Sequence, residues 1–208
     1  MKQHPMLFRP DEVCATVSGA KTQKRVLVKF PPDWDGETVY PNGQDGVKYG
    51  VCNGFDTLNR IYPRLQVGDR IWVKETWRPK GHNFPTGWPY EYRATAEQDG
   101  NPTDGPWKPS LFMPRAAARI FLLVTAIRSE KLHWVTEADA IAEGIEFHVP
   151  VPGDGDTIYR DYTQKKDKRH CLTAKKSYLS LFESLSSAEV VASNPWVTVI
   201  NFQKLEKP

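Results

Sequence analysis

The chain has 208 residues, of which 39% are hydrophobic and 12% aromatic, with 17 prolines and 14 glycines. This composition predicts one globular domain with a buried core and long irregular loops, and it excludes a chain that is disordered throughout. The formal net charge of +3 permits a nucleic-acid partner without requiring one.

The cysteines and the N-terminus bear on the cellular compartment. Cys14, Cys52 and Cys171 are odd in number and far apart, so we expect neither a zinc site nor a disulfide framework. Residues 1–8 lack the apolar segment of a signal peptide, and no run approaches the ~20 apolar residues of a membrane helix. The sequence therefore predicts a cytoplasmic protein with no membrane partner, no metal and no cofactor.

The first part of the chain predicts a short helix followed by a strand. Pro10 begins the helix, and Gly19 is the usual left-handed residue that ends one. Residues 24–30 alternate between apolar and charged, which is the period of a half-buried strand and puts Lys24 on the face of its apolar neighbours.

The segment 18–25 between helix and strand is chemically dense, with three cations and two hydroxyls. One interpretation is that the cations complement the dipole of the preceding helix, a contribution of ~0.3 to 1 kcal/mol when exposed. The other is an anion or nucleobase contact at a cleft, and these residues alone leave both interpretations open.

The middle of the chain predicts two strands separated by irregular segments. Residues 31–66 show no sustained periodicity and are typical of a long loop. Residues 71–77 alternate as a strand, with Glu75 on the more apolar face. Burying a carboxylate there is costly unless it is paired or lies at the mouth of a pocket. The alternative is that Glu75 lies at a frayed end of the strand. Residues 120–127 are apolar enough for a central strand, and Arg115 and Arg119 flank its start as polyanion contacts or solvated charges.

The last third predicts two helices and a closing strand. Thr136 resembles the first residue of a capping box that opens a short helix, and Gly144 can end it. Glu143 lies in the last turn, where the helix dipole disfavours a carboxylate, so it is a natural partner for a nearby lysine or an ordinary solvated side chain. Residues 178–185 then have helical spacing and residues 196–203 predict a strand.

Five segments in this order resemble the ASCH family of small PUA-like β-barrels, in particular its larger phage and prophage members. They are Gly-Ala-Lys-Thr-Gln-Lys-Arg at 19–25, Val-Gly-Asp-Arg-Ile-Trp-Val-Lys-Glu-Thr-Trp at 67–77, 107–110 with 113–115, 137–145, and 194–197. The resemblance implies an α+β fold, a mixed PUA-like (ASCH) β-barrel with a few short helices. It also implies a single domain over 1–208, with long insertions at 31–66, 78–112 and 146–173.

The resemblance suggests RNA or a modified nucleoside as the ligand, bound in a cationic cleft beside the barrel. The expected ligand contacts are Lys24, Arg25, Glu75, Trp77 and Arg115. Trp77 would offer a stacking face, unless it belongs to the core. On this hypothesis RNA binding is salt-sensitive and weakens when Lys24 becomes alanine.

Two alternatives stay open. Some small ASCH proteins are amidohydrolases that deacylate the exocyclic N4 of cytidine, and by resemblance their lysine and glutamate correspond to Lys21 and Glu143. Their threonine corresponds to Lys24, so Thr22 is the remaining hydroxyl candidate, about 6 to 7 Å away along a strand. The other alternative is a phage accessory protein whose insertions bind another protein.

Overall fold

A computed structural model describes residues 1–30, 34–41, 47–51, 59–61, 65–79, 89–96, 106–148, 157–163 and 170–206. The elements of the first half are β1 Gln3–Leu7, α1 Pro10–Val17, β2 Gln23–Leu27, β3 Trp34–Pro41, β4 Val47–Val51, β5 Asn59–Ile61, β6 Arg70–Lys74, β7 Trp77–Pro79, β8 Tyr90–Tyr92 and α2 Arg93–Ala96. Those of the second half are β9 Phe121–Lys131, α3 Glu137–Ala142, β10 Phe147–His148, β11 Ile158–Arg160, β12 His170–Cys171, α4 Ala174–Leu185, α5 Ala188–Ala192 and β13 Trp196–Leu205. The predicted α+β class is confirmed.

The central element is a five-stranded sheet in the order β1-β6-β9-β13-β2. β1 runs parallel to β6, and the other neighbours in the sheet are antiparallel. β9 and β13 form its longest pairing, which shifts register between Asn201 and Phe202.

The expected closed barrel is not formed by the described residues, because β1 and β2 are the outer strands of an open sheet. The chain leaves β1 at Leu7 and enters α1, which begins at Pro10. The ammonium of Lys24 on β2 instead donates to the carbonyl of Leu7 over 3.2 Å, which links the two outer strands by a side chain.

Both faces of the sheet are covered. Consecutive residues of a strand point to opposite faces, and Val199 and Ile200 of β13 accordingly belong to different cores. One core contains Val13 of α1, and the other contains Tyr178 of α4. Helices α1 and α4 are thereby fixed on opposite faces of the same sheet.

The segments predicted as long loops contain strands of their own. β3, β4 and β5 form a three-stranded sheet between β2 and β6, and β10, β11 and β12 form another between α3 and α4. β7 and β8 pair as a two-stranded sheet. Residues 80–88 and 97–105 of the predicted insertion at 78–112 lie outside the described residues.

The longest helix in the described part of the chain is α4, with 12 residues. No helix there combines the length and apolarity needed to cross a membrane.

Candidate functional site

The turn after α1 is held against the end of α3 by backbone hydrogen bonds. Gly19 has φ of +83°, which ends α1 as predicted. The Lys21 N–H then donates to the carbonyl of Ala15 at 2.9 Å, and the Thr22 N–H donates to the carbonyl of Ala142 at 2.9 Å. Lys21 is therefore clamped between the C-terminal ends of two helices.

Gly144 makes this close approach possible. Its φ is +77°, and a Cβ built on it would lie 2.8 Å from Cβ of Ala15 and 2.9 Å from Cβ of Lys21. Only a residue without a side chain fits both this backbone conformation and this space.

Lys21 and Glu143 form a buried ion pair. Lys21 Nζ lies 2.8 Å from Glu143 Oε2 and also donates to the Glu143 carbonyl over 2.7 Å. The two side chains are only 2% and 4% exposed. A carboxylate at the end of a helix is unfavourable by itself, and the lysine supplies the compensating charge.

Arg25 completes the environment of Glu143. Its Nη1 lies 3.1 Å from Glu143 Oε1 and donates to Gln23, and its Nη2 lies 2.8 Å from Glu130 and 3.4 Å from Asp139. Its side chain is fully buried, with Cζ 5.4 Å from the centre of the Tyr178 ring.

Asp139 joins α3 to this network. Burial raises the pKa of its carboxyl, but hydrogen bonds from Gln23, Thr136 and Arg128 outweigh that effect and hold the pKa well below its ordinary value. The charged form of Asp139 is thus favoured by the folded structure.

Lys24 pairs with Glu12 in the first turn of α1. Lys24 Nζ lies 2.6 Å from Glu12 Oε1 and 4.4 Å from the centre of the Phe8 ring. Burial raises the pKa of Glu12, but the ammoniums of Lys24 and Lys21 more than offset this and lower it overall. Burial lowers the pKa of Lys24, and Glu12 only partly opposes the shift.

The network is balanced in charge. The ion pairs of Lys21, Lys24, Arg25 and Arg128 join four cations to four carboxylates, which are Glu12, Glu130, Asp139 and Glu143. Lys24 and Arg25, which were expected to contact an anionic ligand, are therefore neutralised by carboxylates of the protein itself.

This network forms part of the wall of a cavity of about 1050 Å³. The charged residues along its wall include Glu12, Lys21, Lys24, Arg25 and Glu143, and the aromatic residues along it are Phe147, Tyr162, Tyr178 and Phe182. Burial raises the pKa of Tyr162 to about 12, so its hydroxyl stays protonated at neutral pH. A mostly apolar wall with a few converging polar groups is the usual anatomy of a small-molecule site.

The orientation of β2 is the reverse of the predicted one. Arg25 and Gln23 face inwards and are buried, whereas Val26 and Leu27 are 41% and 37% exposed. The carboxylates of β9 and α3 satisfy Arg25, so the charged face of the strand is the buried one. Thr22 is exposed and does not line the cavity.

Three predicted ligand contacts lie elsewhere. The carboxylate of Glu75 accepts from Arg119 at 2.8 and 2.9 Å, and burial raises its pKa although Arg119 opposes the shift. Trp77 is buried in a separate apolar cluster, and exposed Arg115 donates to Gln3. None of the three lines the cavity, so Lys21, Lys24, Arg25 and Glu143 are the predicted residues that the structure brings together.

Sequence reasoning did not identify Glu12, Tyr178 or Phe182 as site residues. Glu12 has the position of an ordinary helix-start carboxylate, and the aromatic pair follows the helical spacing of a core stripe. Only the packing of α1 and α4 around β2 shows that all three line one cavity.

Within the described ranges, no group of three or more histidine, cysteine, aspartate or glutamate side chains is arranged to hold a metal ion. Comparisons with protein-family models, curated proteins and solved structures found no match to this chain.

Proposed function

We propose that this chain is an ASCH-type domain that binds RNA or a nucleoside by receiving one base in the cavity between α1, β2 and α4. The observation that supports this most directly is the convergence of Lys21, Arg25 and Glu143 on a wall that also carries four aromatic side chains. A base can stack on Phe182, which is partly buried and lines the cavity, while its polar edge meets the charged groups. A cytoplasmic location remains the prediction from the cysteine spacing.

The charge balance favours recognition of the base over recognition of phosphates. Lys21, Lys24 and Arg25 each already pair with a carboxylate. Few counterions would be released by such a surface, so we expect binding to depend only weakly on salt. This replaces the strong salt dependence expected from the sequence.

Replacing the stacking face tests the proposal. Phe182→Ala should weaken binding of ribonucleosides and of short single-stranded RNA by roughly 5- to 150-fold, the equivalent of about 1 to 3 kcal/mol per stacked base. Leu179→Ala is the matched control, because Leu179 lies on the same helix and packs against the same core but does not line the cavity. Isothermal titration calorimetry measures both variants.

Two calorimetric results would contradict the proposal. One is that no common ribonucleoside or short RNA binds the wild type. The other is that Phe182→Ala and Leu179→Ala weaken binding equally, which would assign the effect to packing of α4.

A second candidate function is hydrolysis of an acylated nucleoside, and the 2.8 Å contact between Lys21 and Glu143 favours it. Water would add to the acyl carbon after giving a proton to Glu143, and Lys21 would donate a proton to the departing amine. Thr22 has no part in this scheme because it is exposed and does not line the cavity.

The hydrolase candidate predicts turnover of N4-acylcytidines by the wild type. Lys21→Met and Glu143→Gln should each abolish that turnover, while Lys176→Met, an exposed residue outside the cavity, should preserve it. Chromatography of the reaction products measures the rates. Turnover that survives in both cavity variants would exclude this site as the catalytic one.

A further inference from the structure

The four charged side chains at the α1 end of the cavity differ in how far they are buried. Those of Lys21 and Glu143 are 2% and 4% exposed, whereas those of Glu12 and Lys24 are 13% and 16% exposed. The pair of Lys21 and Glu143 is therefore the inner pair, and the pair of Glu12 and Lys24 is the outer pair. A molecule that enters from the cavity meets the outer pair first.

Glu12 is shared between the two pairs. Its Oε1 lies 2.6 Å from Nζ of Lys24 and 3.7 Å from Nζ of Lys21. A small change in the Glu12 side chain would exchange the outer lysine for the inner one. The carboxylate would then still face a cation, so the exchange leaves no unpaired buried charge, which would be expensive.

Lys24 is held in place by three groups between the end of β1 and the first turn of α1. These are the Glu12 carboxylate, the Leu7 carbonyl at 3.2 Å and the face of the Phe8 ring at 4.4 Å. Lys24 is also the most exposed of the four charged side chains, so its ammonium can turn into the open cavity and be hydrated. The outer pair can thus open without unfolding β2 or α1.

We propose that the ion pair of Glu12 and Lys24 is a gate over Lys21, closed in this structure, and that it opens when Glu12 transfers from Lys24 to Lys21. In the open state Lys21 and Glu143 are accessible to a ligand in the cavity, and Glu12 becomes a second carboxylate that positions Lys21. This inference rests on the proposed function only in naming the cavity ligand as a nucleoside or an RNA base.

Acetylation of amines in the wild-type chain tests the gate without any ligand. A water-soluble acetylating ester neutralises Lys24 when it reacts there and so breaks the outer pair. We expect the acetylation rate at Lys21 to rise at least about fivefold in molecules whose Lys24 is already acetylated, because local opening of the pair then costs less. Tandem mass spectrometry of a peptide that contains both lysines distinguishes the singly and doubly modified forms.

Two substitutions of Lys24 form a matched pair. Lys24→Met removes the cation but keeps an unbranched side chain, and we expect Lys21 to be acetylated at least about fivefold faster in it than in the wild type. Lys24→Arg keeps a charge that can reach Glu12, and Lys21 should stay protected. Exposed Lys176 should react at the same rate in all three proteins, which controls for the activity of the reagent. Urea unfolding of each protein shows that all three are folded under the conditions of the reaction.

The gate is excluded if Lys21 reacts at the same rate whether or not Lys24 is acetylated, or if the methionine and arginine variants expose Lys21 equally. These outcomes are independent of whether the chain binds nucleosides. Calorimetry that finds no ribonucleoside binding in the wild type or in Lys24→Met would instead refute the proposed function and leave the acetylation result standing.

Discussion

Glu143→Gln should be among the most destabilising single substitutions in this protein. Glu143 accepts from Lys21 at 2.8 Å and from Arg25 at 3.1 Å, and the Lys21 side chain is only 2% exposed. Removing one partner of a buried pair leaves an uncompensated charge and costs about 3 to 5 kcal/mol. Arg25 keeps Glu130 at 2.8 Å, whereas Lys21 keeps only the more distant Glu12 carboxylate at 3.7 Å, so most of the cost falls on Lys21.

Replacing Lys21, the other partner of the pair, should reduce the free energy of unfolding by less. In Lys21→Met the carboxylate of Glu143 still faces Arg25, so we expect a loss of about 1 to 3 kcal/mol. The double variant should lose less than the two single variants together, with a coupling of about 1 to 3 kcal/mol between residues in direct contact. Urea unfolding followed by tryptophan fluorescence measures each free energy of unfolding at neutral pH.

An exposed ion pair is the control for this cycle. Glu146 and Arg160 also lie 2.8 Å apart, but their side chains are 55% and 42% exposed, so Glu146→Gln should change the free energy of unfolding by only about 0 to 1 kcal/mol. If Glu143→Gln cost no more than this control, or if Lys21→Met cost more than Glu143→Gln, the assignment of the buried charges would be refuted.

Gly144→Ala should lower the free energy of unfolding by more than Gly68→Ala does. Both glycines have positive φ, but only Gly144 lacks room for a Cβ. Equal losses in urea unfolding would show that the ends of α1 and α3 do not approach each other closely. The wild type should be more stable than Asp139→Asn by a constant amount above about pH 5, and this difference should shrink as the pH falls, because the folded state lowers the pKa of the Asp139 carboxyl. Urea unfolding at a series of pH values measures the difference. A difference that grows in acid would contradict this prediction. Glu75→Gln should reduce stability, because it removes the charge that faces Arg119. Nucleoside affinity measured by calorimetry should stay within about twofold of the wild type, because Glu75 lies outside the cavity. A larger loss of affinity would show that the surroundings of Glu75 contribute to binding in the cavity.

Local chemistry predicted three of the helices, α1, α3 and α4, and four strands of the central sheet, β2, β6, β9 and β13. The helix between Pro10 and Gly19 and the capping box at Thr136 both depend on residues within one turn of each other, and both are confirmed. The spacing at 178–185 likewise lies within α4. The segment at 31–66 was predicted as a loop, because short strands in a small sheet leave little periodicity in the sequence.

The site could be predicted only in part. Lys21 and Glu143 were proposed as partners from a turn and a helix end, and the structure places them in contact across 122 positions of the chain. Glu75, Trp77 and Arg115 were proposed for the same cleft. They belong to other surroundings, because the side of the sheet on which a residue lies depends on pairings that the local sequence does not contain.

The sequence by itself determined the positions of α1, α3 and α4, the glycines that end α1 and α3, and which residues around Lys21 carry charge. Tertiary structure decided which of those charges are buried and what neutralises them. Arg25 is buried because Glu130 and Glu143, 105 and 118 positions away, reach it from β9 and α3. The prediction from the alternating pattern assumed that the charged face of β2 is exposed to water. In the structure that face is buried, and carboxylates from distant parts of the chain replace water as partners of Arg25.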